Sequence, residues 1–401
     1  MRQRIINFLK NHPIFVRLCW NMARTFLYIW GFFVPIQKKT MIFCSFGGRK
    51  FDDSPKAIYE EVCSRKEFDD WNLIWVFTEP EKFELHRGKK VKIDTIRFFH
   101  ALLYSRVWVS NSGMDRGIEL HRKKNVIVET WHGTPLKKIG GDENQNSLGG
   151  GMVAPKGKPD NKTIRCAQSE FDRDIFARIF NADKDAILLC DLPRNDALFR
   201  YSLEEIERIK NKLNIGIEKK VILYTPTYRE YLIDENRNTF LAPPMDLMKW
   251  ERELGDEYVL LIRAHYAVSN ALNITESSFV KDVSDYPCLN DLYIISDMMI
   301  SDYSSTYFDY SILNRPMFCF AYDLEEYEKK RGLYLNIKEE LPCEIDRTEE
   351  SLISNIKNVK LEKAISRTKE FSQKYTPYAG GASAKVVDKI LSQLYGERSI
   401  L

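Results

Sequence analysis

His132 comes directly after residues 126–130, an apolar stretch that is typical of a buried β-strand. Gly133 follows it, and a glycine lets a backbone or a ligand approach closely. An imidazole has an ordinary pKa of about 6.5, so it can accept a proton at neutral pH. The sequence therefore favours His132 as a general base at the mouth of a cleft. The alternative is a histidine that only fixes the turn through a local hydrogen bond.

A second histidine occupies a similar place. Arg263 and His265 follow the apolar stretch 258–262 and stand two residues apart, so they share a face if the strand end is extended. A cation beside an imidazole suits the charge of a diphosphate leaving group. The alternative for Arg263 is an ordinary salt bridge with a carboxylate.

Three hydroxyl residues, Ser304, Ser305 and Thr306, follow a third apolar stretch at 298–300 and precede an aromatic, helix-like segment. The free N–H groups and the dipole of a helix start attract anions, and the hydroxyls add further donors. Open α/β sheets bind ligands at the carboxyl ends of their strands. The run therefore predicts a phosphate or diphosphate site, and the alternative is a plain helix cap.

Two further polar clusters are T-P-T-Y-R at 225–229, at a strand end, and P-R-N-D at 193–196, where we predict the chain to cross between domains. With them, His132 falls in the first predicted domain, while Arg229, Arg263, His265 and the hydroxyl run fall in the second. This is the arrangement of a group-transfer enzyme, with the acceptor and base on one side and the donor diphosphate on the other. Asp302 and Asp309 lack a third ligand, so we predict no required metal.

The elements that must position these residues alternate between short apolar strands and helices from residue 40 onward. Such alternation predicts an α/β fold with parallel sheets and helices on both faces. It occurs twice, which predicts two Rossmann-like domains facing a cleft, at 41–195 and 196–401. The principal predicted strands are 41–46, 73–77, 107–110, 126–130, 221–224, 258–262, 298–300 and 316–320.

The composition of the 401-residue chain is that of an ordinary globular protein, with 44% hydrophobic and 29% charged residues. The net charge of +3 gives no indication of a nucleic-acid partner. Eight cysteines are scattered without a C-x-x-C pair, which favours reduced thiols over a disulfide scaffold or a zinc site.

The first forty residues differ from the rest. No Asp or Glu occurs before Asp52, and residues 26–36 are almost wholly apolar. That run is too short to span a bilayer, which takes about 20 residues. A basic, aromatic-rich amphipathic segment favours a helix lying on an anionic membrane, and we predict this for residues 1–40. The alternatives are helices packed on the protein's own core and a dimer contact, so a homo-oligomer is left open.

The motifs in this order resemble those of the CDP-glycerol glycerophosphotransferases of teichoic acid and capsule synthesis. The resemblance extends from about residue 46 to residue 334. The residues that carry it are S-P-K-A-I-Y-E at 54–60, W-H-G-T-P-L-K at 131–137, P-R-N-D at 193–196, Y-T-P-T-Y-R at 224–229, R-A-H at 263–265 and S-D-Y-S-S at 301–305.

The resemblance implies a GT-B-like fold and transfer of glycerol phosphate from CDP-glycerol to a hydroxyl, with release of CMP and no cofactor. His132 would be the general base, His265 would stabilise the donor diphosphate, and residues 284–287 would lie against the cytidine. The second domain would then bind the CDP-alcohol and the first the acceptor. The residues so placed at the substrates are Gly133, Thr134, Lys137, Arg194, Asn195, Thr225, Thr227, Arg229, Arg263, Ser284, Asp285, Tyr286, Pro287, Asp302, Ser304, Ser305, Thr306 and Asp309.

The resemblance also implies partners and a location. The acceptor would be a sugar linked to undecaprenyl diphosphate or a growing polyol-phosphate chain, and the enzyme would be peripheral on the cytoplasmic face of the membrane. Two enzymatic alternatives stay open, a CDP-ribitol-using transferase and a GT-B glycosyltransferase that uses a nucleotide sugar. A non-catalytic scaffold at the membrane is the third alternative. The sequence does not choose between a primase and a polymerase.

Overall fold

The computed structural model describes residues 13–118, 120, 122–143, 158–229, 243–264 and 274–396. Contacts within the chain form two compact units. The first unit contains residues 1–131, 162–164 and 387–401, and the second contains residues 132–161 and 165–386. The predicted division at residue 195, between an acceptor domain and a CDP-alcohol-binding domain, stays a prediction.

The first unit holds a sheet of five parallel strands in the order β3-β2-β1-β4-β5. Its elements, in chain order, are α1 (Pro13–Phe33), β1 (Gln37–Cys44), α2 (Asp53–Ser64), β2 (Asn72–Phe77), β3 (Lys89–Lys92), α3 (Ile96–Tyr104), β4 (Ser105–Ser110) and β5 (Val126–Glu129).

Both faces of this sheet are covered. On one face Ile42 of β1 joins a core that includes Leu27 of α1 and Val34, which directly follows that helix. On the other face Phe43 stacks on Trp75 at 5.5 Å between ring centroids. Alternate residues of a strand point to opposite faces, so a strand buried on both sides reads as a continuous apolar run. This is why the four strands predicted in this part of the chain are confirmed.

The second unit holds a two-stranded sheet and a six-stranded parallel sheet in the order β10-β9-β8-β11-β12-β13. The two-stranded sheet pairs β6 (Arg165–Ala167) with β7 (Ile187–Leu189), beside α4 (Glu170–Ile179). The six strands are β8 (Lys220–Thr225), β9 (Tyr258–Ile262), β10 (Val280–Asp282), β11 (Met298–Ser301), β12 (Met317–Phe320) and β13 (Ile345–Asp346).

Helices cover both faces of the six-stranded sheet. Val221 and Leu223 belong to the core on one face, and Ile222 and Tyr224 belong to the core on the other. A 3₁₀-helix spans Pro193–Phe199. The α-helices are α5 (Leu203–Lys212), α6 (Leu247–Leu254), α7 (Leu289–Ile295), α8 (Thr306–Ser311), α9 (Leu324–Lys330), α10 (Ile337–Glu340), α11 (Glu349–Lys357), α12 (Leu361–Tyr375) and α13, which begins in this unit (Ala382–Tyr395).

Two features bear on the predicted membrane segment. Helix α1 buries Leu27, and Val34 just after it is also buried, yet Met22, Phe32 and Phe33 of the helix are more than half exposed. No helix in the described ranges is both long and apolar enough to cross a bilayer.

Candidate functional site

The strand order of the second unit reverses between β8 and β11. From β8 the sheet continues through β9 and β10, and from β11 it continues the other way through β12 and β13. In parallel sheets, ligands bind beyond the carboxyl ends of the two strands at such a switch point. Here these ends are Thr225 and Ser301, which are register partners. The topology therefore indicates a ligand site where the sequence predicted one.

Hydroxyl groups meet at this point. The Oγ1 atom of Thr225 lies 3.0 Å from Oγ of Ser301 and 3.3 Å from Oγ1 of Thr306. The hydroxyl run that follows β11 is half-buried, and Oγ of Ser304 accepts a hydrogen bond of 3.2 Å from the backbone N–H of Thr306. Ser304 thus caps the first turn of α8, whereas Ser305 makes no side-chain cap bond. The predicted anion site at 304–306 stays a prediction.

Arg194 links three segments that the sequence had singled out separately. Its Nη1 donates a hydrogen bond of 2.9 Å to the carbonyl oxygen of His132, and its Nη2 forms an ion pair with Asp309. Asn195 donates from Nδ2 to the other carboxylate oxygen of Asp309 at 2.7 Å. Asp309 is buried, and it lies on α8 a few residues after Ser304. The backbone of His132 is therefore tied to the helix that follows the hydroxyl run.

Gly133 lets these segments approach each other closely. Its φ is +144°, and a Cβ atom there would lie 2.8 Å from Oγ of Ser305 and 3.2 Å from Nη2 of Arg194. Both distances are shorter than ordinary contacts with a Cβ atom, so a larger residue would displace its neighbours. The residue after His132 is thus packed directly against the hydroxyl run.

Two residues that the sequence analysis missed extend this network. Gln168 accepts a 2.7 Å hydrogen bond from Asn195 and donates one of 2.9 Å to Oγ1 of Thr134, which donates to Asp172 at 3.1 Å. Burial raises the pKa of Asp172 to about 6, although four hydrogen bonds to its carboxylate oppose that rise. Ser169 and Asp172 form the capping box of α4, and this S-x-x-D spacing was the available signal.

Arg229 is fully engaged inside the protein. It donates from Nε and Nη2 to Asp323 at 2.7 and 2.9 Å, and from Nη1 to Asp302 at 2.9 Å. Its side chain is 2% exposed, and the ring of Tyr303 lies 4.9 Å from the guanidinium carbon. Burial lowers the pKa of Arg229, but the charge of Asp302 and the hydrogen bonds to Asp323 outweigh burial and raise it. The geometry favours a positioning role for Arg229 over contact with a phosphate, because two carboxylates already surround its guanidinium.

Asp302 also fixes the turn that directly follows strand β8. The backbone N–H of Thr227 donates to Asp302 at 2.9 Å. Asp302 is itself fully buried, so it reaches this turn and Arg229 from inside the protein. Like Arg229 and Asp309, it was expected to contact substrate, and that expectation stays a prediction for all three.

The structure brings Arg263 together with residues 284–287. Nη1 of Arg263 donates to the carbonyl oxygen of Tyr286 at 2.7 Å, and Oγ of Ser284 accepts from the N–H of Ala264 at 3.0 Å. Asp285 and Pro287 are exposed, while the ring of Tyr286 is buried and its hydroxyl donates to Asp291 at 2.8 Å. Asp285, Pro287 and the half-buried Ser284 are therefore more accessible to a ligand here than the ring of Tyr286. His265 lies outside the described residues.

Two other predictions concern Lys137 and metals. Lys137 is half-buried and bridges to Leu333 through its backbone, so this segment is held by the chain at residues 332–334.

The part of the chain that the structure describes contains no group of three or more His, Cys, Asp or Glu side chains that could hold a metal. The absence of a required metal stays a prediction.

Asp196, the last residue of the P-R-N-D motif, accepts hydrogen bonds from the first residues of α13. Both oxygens of the Asp196 carboxylate accept backbone N–H bonds of 2.9 Å, from Ala382 and Ser383. Asp191, just before the motif, accepts a bond of 2.9 Å from the N–H of Gly380. Burial raises the pKa of Asp191 to about 7, and the nearby charge of Asp196 adds to this rise.

Comparisons with known proteins agree with this picture. The sequence model of the family described as CDP-glycerol:poly(glycerophosphate) glycerophosphotransferase matches residues 26–392. The chain is 37% identical over 336 residues to a teichoic acid poly(glycerol phosphate) polymerase of Staphylococcus epidermidis, a match that covers 81% of this chain and 46% of that protein. It is 35% identical over 332 residues to a teichoic acid glycerol-phosphate transferase of Staphylococcus aureus, covering 80% and 84% of the two chains.

A solved structure also resembles the whole described fold. The wall teichoic acid polymerase TagF superposes with a TM-score of 0.82 at 31% sequence identity, and the match covers 98% of each chain. This likeness confirms the predicted α/β, GT-B-like fold class. The chain spans about half the length of the Staphylococcus epidermidis relative, for which 46% is covered.

Proposed function

The chain belongs to the CDP-glycerol:poly(glycerophosphate) glycerophosphotransferase family, and on that premise we propose that it transfers glycerol phosphate from CDP-glycerol to a hydroxyl of a teichoic acid acceptor. The acceptor is a lipid-linked sugar or a growing polyol-phosphate chain, and CMP is the second product. The observation that carries the proposal is the link from His132 through Arg194 to Asp309, which holds a candidate base beside the hydroxyl run.

The proposed reaction is one substitution at phosphorus. An acceptor hydroxyl oxygen attacks the phosphorus that bears glycerol, and His132 takes the proton of that hydroxyl. The bond from this phosphorus to the bridging oxygen breaks, and CMP leaves with the electron pair. Catalysis of this kind consists mainly of positioning and of stabilising charge on the phosphate oxygens.

The donor is proposed to lie at the switch point of the six-stranded sheet. The hydroxyls of Ser304, Ser305 and Thr306 hold phosphate oxygens, together with the first turn of α8. His265 and Arg263 stabilise the diphosphate, and residues 284–287 lie against the cytidine. The contact of Arg263 with the carbonyl oxygen of Tyr286, at 2.7 Å, supports this placement because it brings the two predicted donor segments together.

Four of the other predicted residues position the substrate-binding segments without contacting the substrates themselves. Asp309 and Arg194 fix the backbone at His132 from inside the protein. Asp302 and Arg229 fix the turn at Thr227 in the same way. Each of these four side chains is at least four-fifths buried and is paired with another of them, which supports a positioning role.

The protein is further proposed to work as a peripheral protein on the cytoplasmic face of the membrane, where a lipid-linked acceptor is presented. Helix α1 supports this location because it buries one side and exposes large apolar side chains on another. A helix of this kind can lie in the interface of a bilayer. The exposed apolar residues of α1 are Leu18, Trp20, Met22, Phe26, Tyr28, Ile29, Phe32 and Phe33.

The test is to incubate the purified protein with CDP-glycerol and a lipid-disaccharide acceptor, and to measure CMP release and product mass. We expect CMP release and a product heavier by glycerol phosphate. The His132→Ala and His265→Ala variants should fold normally by circular dichroism yet release no CMP, and full activity in either would overturn the assigned roles. Parallel reactions with CDP-ribitol and with UDP-sugars separate the two enzymatic alternatives, and absence of nucleotide binding would indicate a scaffold.

A further inference from the structure

A pocket of about 390 Å³ in the first unit combines aromatic and cationic side chains. Its cations are Lys89 and Lys90 on the edge strand β3 and Arg97 on α3. No acidic side chain occurs among its described lining residues. We call it the cationic pocket. An opening of this charge and size is suited to an anionic group.

Two of the three cations are available to a ligand. Lys90 donates from Nζ to the carbonyl oxygen of Phe83 at 2.7 Å, so it is partly engaged. Neither Lys89 nor Arg97 forms a side-chain hydrogen bond or ion pair within the described ranges, and both are exposed. The cationic pocket therefore carries positive charge that this part of the protein does not neutralise.

Aromatic side chains also line the cationic pocket. The ring of Trp30 on α1 stacks on His100 of α3 with centroids 5.7 Å apart, and Tyr104 packs edge-on against His100 at 5.0 Å. Ile74 of β2 and Val91 of β3 add apolar surface. A fully hydrated anion gains little from such surroundings, whereas an anion joined to an apolar body makes use of both.

A second pocket, of about 430 Å³, lies beside the first and is mainly apolar. Trp20, Phe26 and Phe99 contribute to its lining. Its two charged lining residues, Arg116 and Asp94, neutralise each other through two hydrogen bonds of 2.8 and 2.7 Å. We call this the apolar pocket.

The two pockets share a wall on the outer surface of the first unit. Ile96 lines both of them and is 63% exposed. Phe26, which lines the apolar pocket, lies 5.9 Å from Trp30, which lines the cationic one. One ligand can thus span both pockets across Ile96.

We propose that the two pockets together bind one molecule of an anionic glycerophospholipid. Its phosphate pairs with Lys89 and Arg97, and an acyl chain enters the apolar pocket. Charge complementarity selects an anion, and the adjoining apolar pocket and exposed face of α1 select a lipid over a free phosphate. The inference rests on the proposed membrane location and adds to it a specific headgroup site.

Co-flotation with vesicles tests the site without any donor or acceptor. Wild-type protein is compared on phosphatidylcholine vesicles with and without phosphatidylglycerol, beside the double variant Lys89→Glu/Arg97→Glu. The matched control is Lys66→Glu/Lys124→Glu, at exposed lysines of the same unit that line neither pocket. We expect the preference of the pocket variant for vesicles with phosphatidylglycerol to fall about tenfold or more, whereas the control variant should keep its preference.

A photoreactive group on the acyl chain of phosphatidylglycerol tests the second half of the proposal. Labelling is expected on Trp20, Phe26 or Phe99, and it should persist in the presence of excess inorganic phosphate. Three results would overturn the site. They are an equal loss of preference for phosphatidylglycerol in the two charge variants, labelling confined to residues 1–12, and complete suppression of labelling by free phosphate. Neither experiment involves transfer of glycerol phosphate. Failure of the proposed lipid site can therefore be distinguished from failure of the proposed reaction.

Discussion

Arg194 donates a hydrogen bond of 2.9 Å to the carbonyl oxygen of His132. The same guanidinium forms an ion pair with Asp309, whose second oxygen is bonded to Asn195. A planar guanidinium can serve two acceptors at fixed angles, which an ammonium group does not do. The position of the His132 backbone therefore depends on one buried charged pair.

Replacing Arg194 by Lys should reduce kcat by about tenfold to a hundredfold, because a hydrogen bond from a charged group is worth about 1.5–3 kcal/mol. The KM for CDP-glycerol should change little if Arg194 acts on the base and not on the donor. Steady-state kinetics on CMP release measure both.

The matched control is Arg315→Lys. Arg315 also donates to backbone carbonyls, with a bond of 2.8 Å to Ile294, but it has no contact with His132 or Asp309 among the bonds described. The control should lower stability and leave kcat nearly unchanged. An Arg194→Lys variant with wild-type kcat and a raised KM would instead assign Arg194 to donor binding.

Replacing Arg229 by Met should destabilise the second unit by about 3–5 kcal/mol, because Asp302 and Asp323 would be left buried without their cation. Urea unfolding followed by circular dichroism measures the loss. If Arg229 instead contacted the donor phosphates, the variant would keep its stability and show a raised KM. Arg252→Met, at an exposed arginine of α6, is the control and should change neither quantity.

Replacing Gly133 by Ala should abolish most activity. The added Cβ atom would lie 2.8 Å from Oγ of Ser305 in a backbone conformation, φ +144°, that side chains rarely adopt. Gly381→Ala is the control, since Gly381 also has a positive φ but has nothing within 4 Å of the added atom. The control should cost only about 1–3 kcal/mol of backbone strain. Equal CMP release by the two variants would contradict the role of close packing at Ser305.

The sequence allowed the strands to be predicted where they are buried on both faces, because such strands are continuous apolar runs. It did not reveal β3, whose residues K-K-V-K look like a loop and which lies at the sheet edge. It also did not reveal β6, β7 or β13, which are two or three residues long, too short for a periodic pattern.

The same limit applies to the candidate site. Strand-end hydroxyls and arginines could be recognised because the carboxyl ends of parallel strands collect ligands. The partners of those residues could not, because Arg194 and Asp309 are 115 positions apart and only the packed fold brings them together. Gln168 and Asp323 were missed for this reason, since a buried polar residue carries no local signature of its partner.

Replacing Met22 and Ile29 by Asp should greatly reduce binding to anionic vesicles. These side chains are 65% and 54% exposed, so the changes should not disturb the core. Aspartate at a membrane interface loses apolar contact and is repelled by anionic lipid. Flotation measures binding, with Ile217→Asp, at a position 59% exposed in the second unit, as the control. Unchanged flotation of the α1 variant would contradict the proposed membrane helix.

Replacing Asp191 by Asn should make stability less dependent on pH. An aspartate in an unfolded chain has a pKa of about 3.9, and burial raises the pKa of Asp191 to about 7 in the folded protein. The folded state therefore holds an extra proton between these values. Its contribution to stability is complete below about pH 4 and is lost as the pH rises through 7, an effect of roughly 2–4 kcal/mol.

The amide oxygen of the introduced asparagine can still accept the bond from Gly380, so the free energy of unfolding of the Asp191→Asn variant should fall less between pH 5 and about 8 than that of wild type. Urea titrations at both pH values, with exposed Asp185→Asn as the control, decide this. An equal fall in the Asp191→Asn and wild-type proteins would show that Asp191 does not hold that proton.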